Sequence, residues 1–180
     1  MKLVTLIALI SGQRCQTIAL INLDYANVTA TGVTFVIDKL TKTSKVCKPH
    51  VDVSFTSYPH DALLCVINVL RTYLQRTKPV RGTERRLFLS YVQPYKAVGS
   101  ETIGRWIKGT LKAAGINTDK FTAHSTRSAA CSTAFKYGVS LDTIMKTAGW
   151  SKCSTFAKYY NKSIITNPAF ANAVLGKNQP

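Results

Sequence analysis

Acidic side chains are scarce in this chain. Its 180 residues hold 8 Asp and Glu against 24 Lys and Arg, a formal charge of +16. Folding does not require such an excess; it predicts attraction to a polyanion, most simply nucleic acid. Long apolar runs are missing too. The stretch from Met1 to Ile10 is broken by Ser11-Gly-Gln-Arg14, too soon to span a bilayer, and no small-residue cleavage site follows it. It reads as a buried helix, and the protein as neither membrane-bound nor secreted. The five cysteines (Cys15, Cys47, Cys65, Cys131, Cys153) are odd in number and include no CxxC pair, which suits a reducing compartment. Cys47, His50, His60 and Cys65 match no zinc spacing, so no metal and no other cofactor is expected. Repeats, low-complexity tracts and linkers are lacking as well. What remains is one domain whose 46% hydrophobic residues suffice for a real core.

The apolar pattern predicts an α+β domain that is mainly helical. Leu3, Leu6, Ile7 and Ile10, then Cys15, Ile18 and Ala19, recur at helical intervals with a break at Gly12. Arg14 follows that break between apolar segments, so if buried it needs an acid or an anion. Gly32 to Asp38 and Val46 to Phe55 read as strands of a small antiparallel hairpin. Between them lies Lys39-Leu-Thr-Lys42-Thr-Ser-Lys45, a tip that either donates to DNA or merely keeps an edge soluble. A helix over Asp61 to Gln75 should stop before Lys78-Pro79, and Leu87 to Tyr91 reads as a short strand. Ser100 to Gly115 reads as a helix with a Ser N-cap and a Gly stop. Arg105, Lys108 and Lys112 lie near one face of it, either as DNA-backbone contacts or as a solvated surface.

The richest chemistry lies between His124 and Tyr160. His124 and Arg127 stand three apart on a helix with Thr122 before it as N-cap, so they share a face. Donors at a helix N-terminus suit a phosphate, whereas the same pair elsewhere is often a solvated face. Ser140 to Thr147 forms a further short helix that leads to Gly149-Trp150. Ser154 then caps a segment carrying Tyr159 and Tyr160, Asn167-Pro168 ends it, and an apolar tail runs from Ala169 to Leu175.

In order, Gln13-Arg14, a lysine hairpin, His124-x-x-Arg127, Gly149-Trp150 and a tyrosine resemble the catalytic domain of the tyrosine recombinases, the phage-integrase family. The wording resembles most the recombinases of DIRS-like retrotransposons and Cryptons: Gly12-Gln-Arg-Cys-Gln-Thr17, Leu40-Thr-Lys-Thr43, Thr102-Ile-x-Arg-Trp-Ile107, Ala123-His-Ser-Thr-Arg-Ser-Ala-Ala130 and Gly149-Trp-Ser-x-x-Ser-Thr-Phe156. A lone HxxR would be weak evidence; the ordered set is strong.

That resemblance implies roles. Arg14 and Arg127 would bracket a scissile phosphate, their planar forks matching its oxygens. His124 would donate to the phosphate or move a proton to and from the nucleophile, and the Trp150 indole N–H would hold a phosphate oxygen. Lys42, or alternatively Lys39 or Lys45, would protonate the leaving 5′ oxygen. Tyr160, or alternatively Tyr159, would attack phosphorus to give a 3′-phosphotyrosine without metal or small-molecule substrate. Thr17 stands where many relatives carry an acid that orients the site. The partners implied are duplex DNA and further copies of the chain, as a tetramer on DNA. The location implied is the nucleus in a eukaryote and the cytoplasm otherwise. Residues 1–180 would form a single catalytic domain without the N-terminal helical domain that closes a clamp around DNA. The rival readings are a domesticated, non-cutting DNA-binding module and, further off, an RNA-binding or structural chromatin protein.

Overall fold

Leu3, Val4, Ile7, Ala8 and Ser11 form one buried stripe on the first helix, at the spacing that aligns side chains along a single face. In the computed structural model this helix, α1 (Lys2–Ser11), packs against four other helices and the sheet. The structure describes residues 1–39 and 51–150, the side chain of Val51 excepted. Gly12 ends α1 in the left-handed region (φ 56°), and Arg14 caps the short α2 (Cys15–Ala19). A 3-10 turn leads into β1 (Ala26–Val28), β2 (Gly32–Ile37) and β3 (Val51–Thr56), an antiparallel sheet in that order. There follow α3 (Val66–Arg81), α4 (Ser100–Ala113), α5 (Ala123–Lys136) and α6 (Leu141–Ala148). The architecture is the mainly helical α+β fold expected.

Alternation sets the sheet's inner face. Val33 pairs with Phe55 and Phe35 with Val53, and all four are buried, with the Phe35 and Phe55 rings edge-on at 6.3 Å. On the other face Thr34 and Ser54 share a hydroxyl hydrogen bond of 2.9 Å. Gly32 is required by proximity, since a Cβ there would come within 2.4 Å of the Phe55 carbonyl. This face, α1, and the buried sides of α3 and α4 make one core; Cys131, Ile144, Ala148 and Trp150 make a second, smaller one between α5 and α6.

Four local expectations need correction. The third helix starts at Val66, because the Asp61 side chain accepts the Leu63 and Leu64 amides and its carbonyl accepts that of Cys65, closing a turn first. It also runs through Pro79 to Arg81: the proline forgoes one intrahelical bond, while Arg81 ties the last turn to the Arg86 and Leu87 carbonyls. Leu87 to Tyr91 is no strand: Leu87, Phe88 and Leu89 are buried, but Arg86 and Leu89 each make only an isolated bridge, to Asn22 and Ala97. The N-cap of α4 is Gly99, with Ser100 already helical, while Gly115 (φ 76°) follows its C-terminus as expected.

Candidate active site

The C-terminus of α6 is where the site assembles. A helix leaves its last carbonyls without intrahelical partners, and their dipoles make that end negative. Here the carbonyls of three successive residues are taken by the segment around the Gly12 turn and by α5. Gln13, itself buried, donates through Nε2 to the Thr147 carbonyl at 2.7 Å. Arg127 donates through Nη1 to the Ala148 carbonyl at 2.6 Å, and through the same nitrogen to the carbonyl of Gly12. Arg14 donates through Nη1 to the Gly149 carbonyl at 3.4 Å. Elements more than a hundred residues apart are thereby tied to one helix end.

Arg127 is 2% exposed and lies about one turn into α5. Its guanidinium carbon stands 4.4 Å from the centroid of the Trp150 ring, so the indole forms a cation–π floor beneath it. Trp150 is held in turn by its own backbone, whose N–H donates to the Met145 carbonyl at 2.8 Å, and by the Cys131–Ile144 cluster. Gly149 turns the chain from α6 to Trp150 in the left-handed region (φ 65°).

His124 sits in the first turn of α5. Its amide donates to Thr122 Oγ1 at 3.2 Å, while the Thr122 amide donates to Ser125 Oγ at 3.0 Å, a reciprocal cap. The cap therefore occupies the His124 amide, one of those that the sequence offered to an anion. Partial burial, then the positive charges of Arg127 and Arg14, hold the His124 imidazole below its ordinary pKa. Both cations thus act on one ring. The structure brings Arg14, His124, Arg127 and Trp150 together, and Thr17 is buried within α2, the helix that Arg14 caps.

Arg105, Lys108 and Lys112 are exposed on α4, opposite its buried Ile103, Trp106 and Ile107. That helix packs against α2 and α5, while the basic row faces away from its buried side. Lys39 is exposed just past the end of β2. Lys42, Lys45, Tyr159 and Tyr160 lie outside the described residues. Gln13 is the residue whose structural part the sequence did not disclose. Its position between a turn glycine and Arg14 was the available signal.

Known proteins set this geometry in context. The family model described as "Phage integrase family" matches residues 1–164. The solved XerH site-specific recombinase, bound to its palindromic difH substrate, superposes with a TM-score of 0.72 at 14% identity, over 96% of this chain and 45% of that one. XerA recombinase gives 0.65 at 16% identity, over 99% of this chain and 57% of the other. For the lambda integrase catalytic core the values are 0.53 and 16%, over 82% and 80%. Among curated proteins no match is found. The chain spans about half the length of the two Xer structures, and the shared fold is that of tyrosine-recombinase catalytic domains. On the extent of the family match, the chain belongs to the phage integrase family.

Proposed function

We propose that this chain cleaves and rejoins duplex DNA through a 3′-phosphotyrosine. One observation carries the proposal: Arg14 and Arg127, distant in sequence, are fixed to the same helix end, with His124 inside the field of both. Two guanidiniums so arranged suit a phosphodiester whose charge grows as a fifth oxygen approaches phosphorus. The depressed pKa of His124 favours the neutral ring, which can accept the phenol proton. Tyr160 then attacks, the phosphorus–O5′ bond breaks, and Lys42 gives its proton to the departing oxygen. A 5′-hydroxyl from a partner strand reverses these steps, so no external energy source enters. Tyr159 and Tyr160 are neighbours, with side chains about 100° apart if helical, so one of them addresses phosphorus. Cation positions held by protein leave no task for a metal.

The recombinases of DIRS-like retrotransposons and Cryptons are the relatives whose wording this chain shares, which supports a mobile-element origin, and a nuclear site of action in a eukaryote. Solved lambda integrase has been seen as a tetramer on a Holliday junction; the corresponding proposal here is a homotetramer on DNA. A duplex nicked beside the cleavage position loses its short product strand and traps the covalent adduct. The wild-type chain should form that adduct, Tyr160→Phe should abolish it with DNA binding retained, and Tyr159→Phe should still form it. The reverse pattern moves the nucleophile to Tyr159. No adduct from the wild-type chain, alone or supplied with a full-length recombinase partner, would leave a DNA-binding module in place of the enzyme.

A further inference from the structure

Arg86 lies outside the cluster at the end of α6, yet the fold holds it on every side. Its strand of chain runs antiparallel to residues 21–23: the Leu23 amide donates to the Arg85 carbonyl and the Leu87 amide to that of Ile21, each at 2.8 Å. The Arg86 amide donates to Glu84 Oε1 at 2.9 Å, and its carbonyl accepts from Arg81 Nη1 at 2.6 Å. So anchored, its guanidinium spans two elements. Nη1 donates to the carbonyl of Leu20, the C-cap of α2. Nη1 and Nη2 also grip the Asp38 carboxylate at 3.0 and 3.4 Å, with both side chains largely shielded from water. Arg14 and Leu20 bound the same five-residue helix. Asp38 is the residue after β2, directly before Lys39 and the run holding Lys42 and Lys45.

We infer that Arg86 is a positioning residue, which through Asp38 sets the point where the lysine-bearing segment leaves β2 relative to the helix that begins at Arg14. A planar fork suits this task, because it fixes a carboxylate in distance and angle at once. The two partners are 48 residues apart in sequence, and their hydrogen bonds go to Leu20 and to each other rather than to the α6 terminus. Arg86 touches both elements, but Asp38 reaches the reaction through the lysine-bearing segment. In this inference the part of Asp38 therefore falls on the step in which the phosphorus–O5′ bond breaks and a lysine proton passes to O5′. This inference rests on the cleavage reaction proposed above.

The test compares two leaving groups. Randomised nicked duplexes captured covalently by the wild-type chain supply a substrate, which is then made with either an ordinary bridge or a 5′-bridging sulfur. A thiolate departs without needing a proton, so the sulfur substrate bypasses the lysine. Asp38→Asn keeps the shape of the side chain and the Arg86–Leu20 bond while removing the charge. At saturating DNA it should slow cleavage of the oxygen substrate roughly 10- to 100-fold, part of the ~10²–10⁴ that a general acid supplies. The sulfur substrate should be cleaved within about threefold of the wild-type rate, with DNA affinity unchanged. Asp38→Glu should recover part of the loss, and Arg86→Lys should behave like Asp38→Asn. Equal slowing of both substrates, or lost DNA affinity with an unchanged rate, overturns the positioning role. Should Asp38→Asn fail to fold, the Asp38→Glu ratio of oxygen to sulfur rates decides in the same way. A wild-type chain that captures no duplex refutes the cleavage reaction itself, a result separate from either pattern.

Discussion

At the scale of single residues, the charges at this site are held by carbonyl oxygens, and that decides how each side chain will respond to change. Arg127 reaches two carbonyls from one nitrogen while its guanidinium carbon stands over the Trp150 ring. An ammonium has the charge but no plane, so Arg127→Lys should lose the stacking and one acceptor. We expect it to cost about 2–3 kcal/mol, the scale of hydrogen bonds to a charged group, measured by urea denaturation. His124 gives a pH prediction. Its folded pKa lies below the ordinary ~6.5, so the folded chain binds this proton less well than the unfolded one. Its contribution to stability is complete above that ordinary value and declines as pH falls toward the depressed folded one. In ¹H–¹⁵N spectra the imidazole should titrate below ~6.5 in the free chain. Arg14→Gln should raise the midpoint, since one of the repelling charges is gone. An unmoved midpoint would remove Arg14 from the ring's surroundings.

Among elements, the turn at Gly12 has the tightest constraints. Its φ is positive, and an added Cβ would stand 3.2 Å from Cys131 Sγ and 3.3 Å from the Ala148 Cβ. Gly12→Ala should therefore destabilise the fold by about 1–3 kcal/mol through strain and overpacking, and weaken the carbonyl that holds Arg127. Thermal unfolding reads the first effect and adduct yield the second. Helix α1 was legible in the sequence by its apolar stripe, and α5 and α6 by their caps, since Thr122 and Ser140 cap as their types predict. Val66 was not legible as a helix start, since Leu63 and Leu64 continue the apolar spacing while in fact lying exposed in the Asp61 turn. Leu87 to Leu89 looked like a strand because burial, which their composition reports, does not imply a ladder. For the site, the three-residue spacing of His124 and Arg127 was visible. Their unlike burial was not, because the partners of Arg127 are main-chain carbonyls that leave no trace in residue identity. Asp38 and Arg86 escaped for a related reason: nothing local links positions so far apart.

Over the whole molecule, charge governs encounter. With +16 and a basic row on α4, the chain should bind duplex DNA with modest sequence preference, through phosphates. Affinity measured by fluorescence anisotropy should fall on the order of 10³-fold between 50 and 200 mM salt. Replacing Arg105, Lys108 and Lys112 together by Gln should flatten the slope of log affinity against log salt, by about one for each phosphate no longer neutralised. A slope that does not change would return α4 to the status of a solvated face. Within the described residues no helix is long and apolar enough to cross a membrane, and α1 places its apolar stripe in the core.

The α6 terminus has a further meaning during synthesis. Gln13 and Arg14 leave the ribosome before their carbonyl partners at Thr147 and Gly149, which follow 134 and 135 residues later. Until α6 is made, Arg14 and Arg127 lack the shared anchor that aligns them. On the reaction proposed above, a chain released before α6 is made would meet DNA by charge alone, without the two aligned guanidiniums that grip a phosphate for cutting.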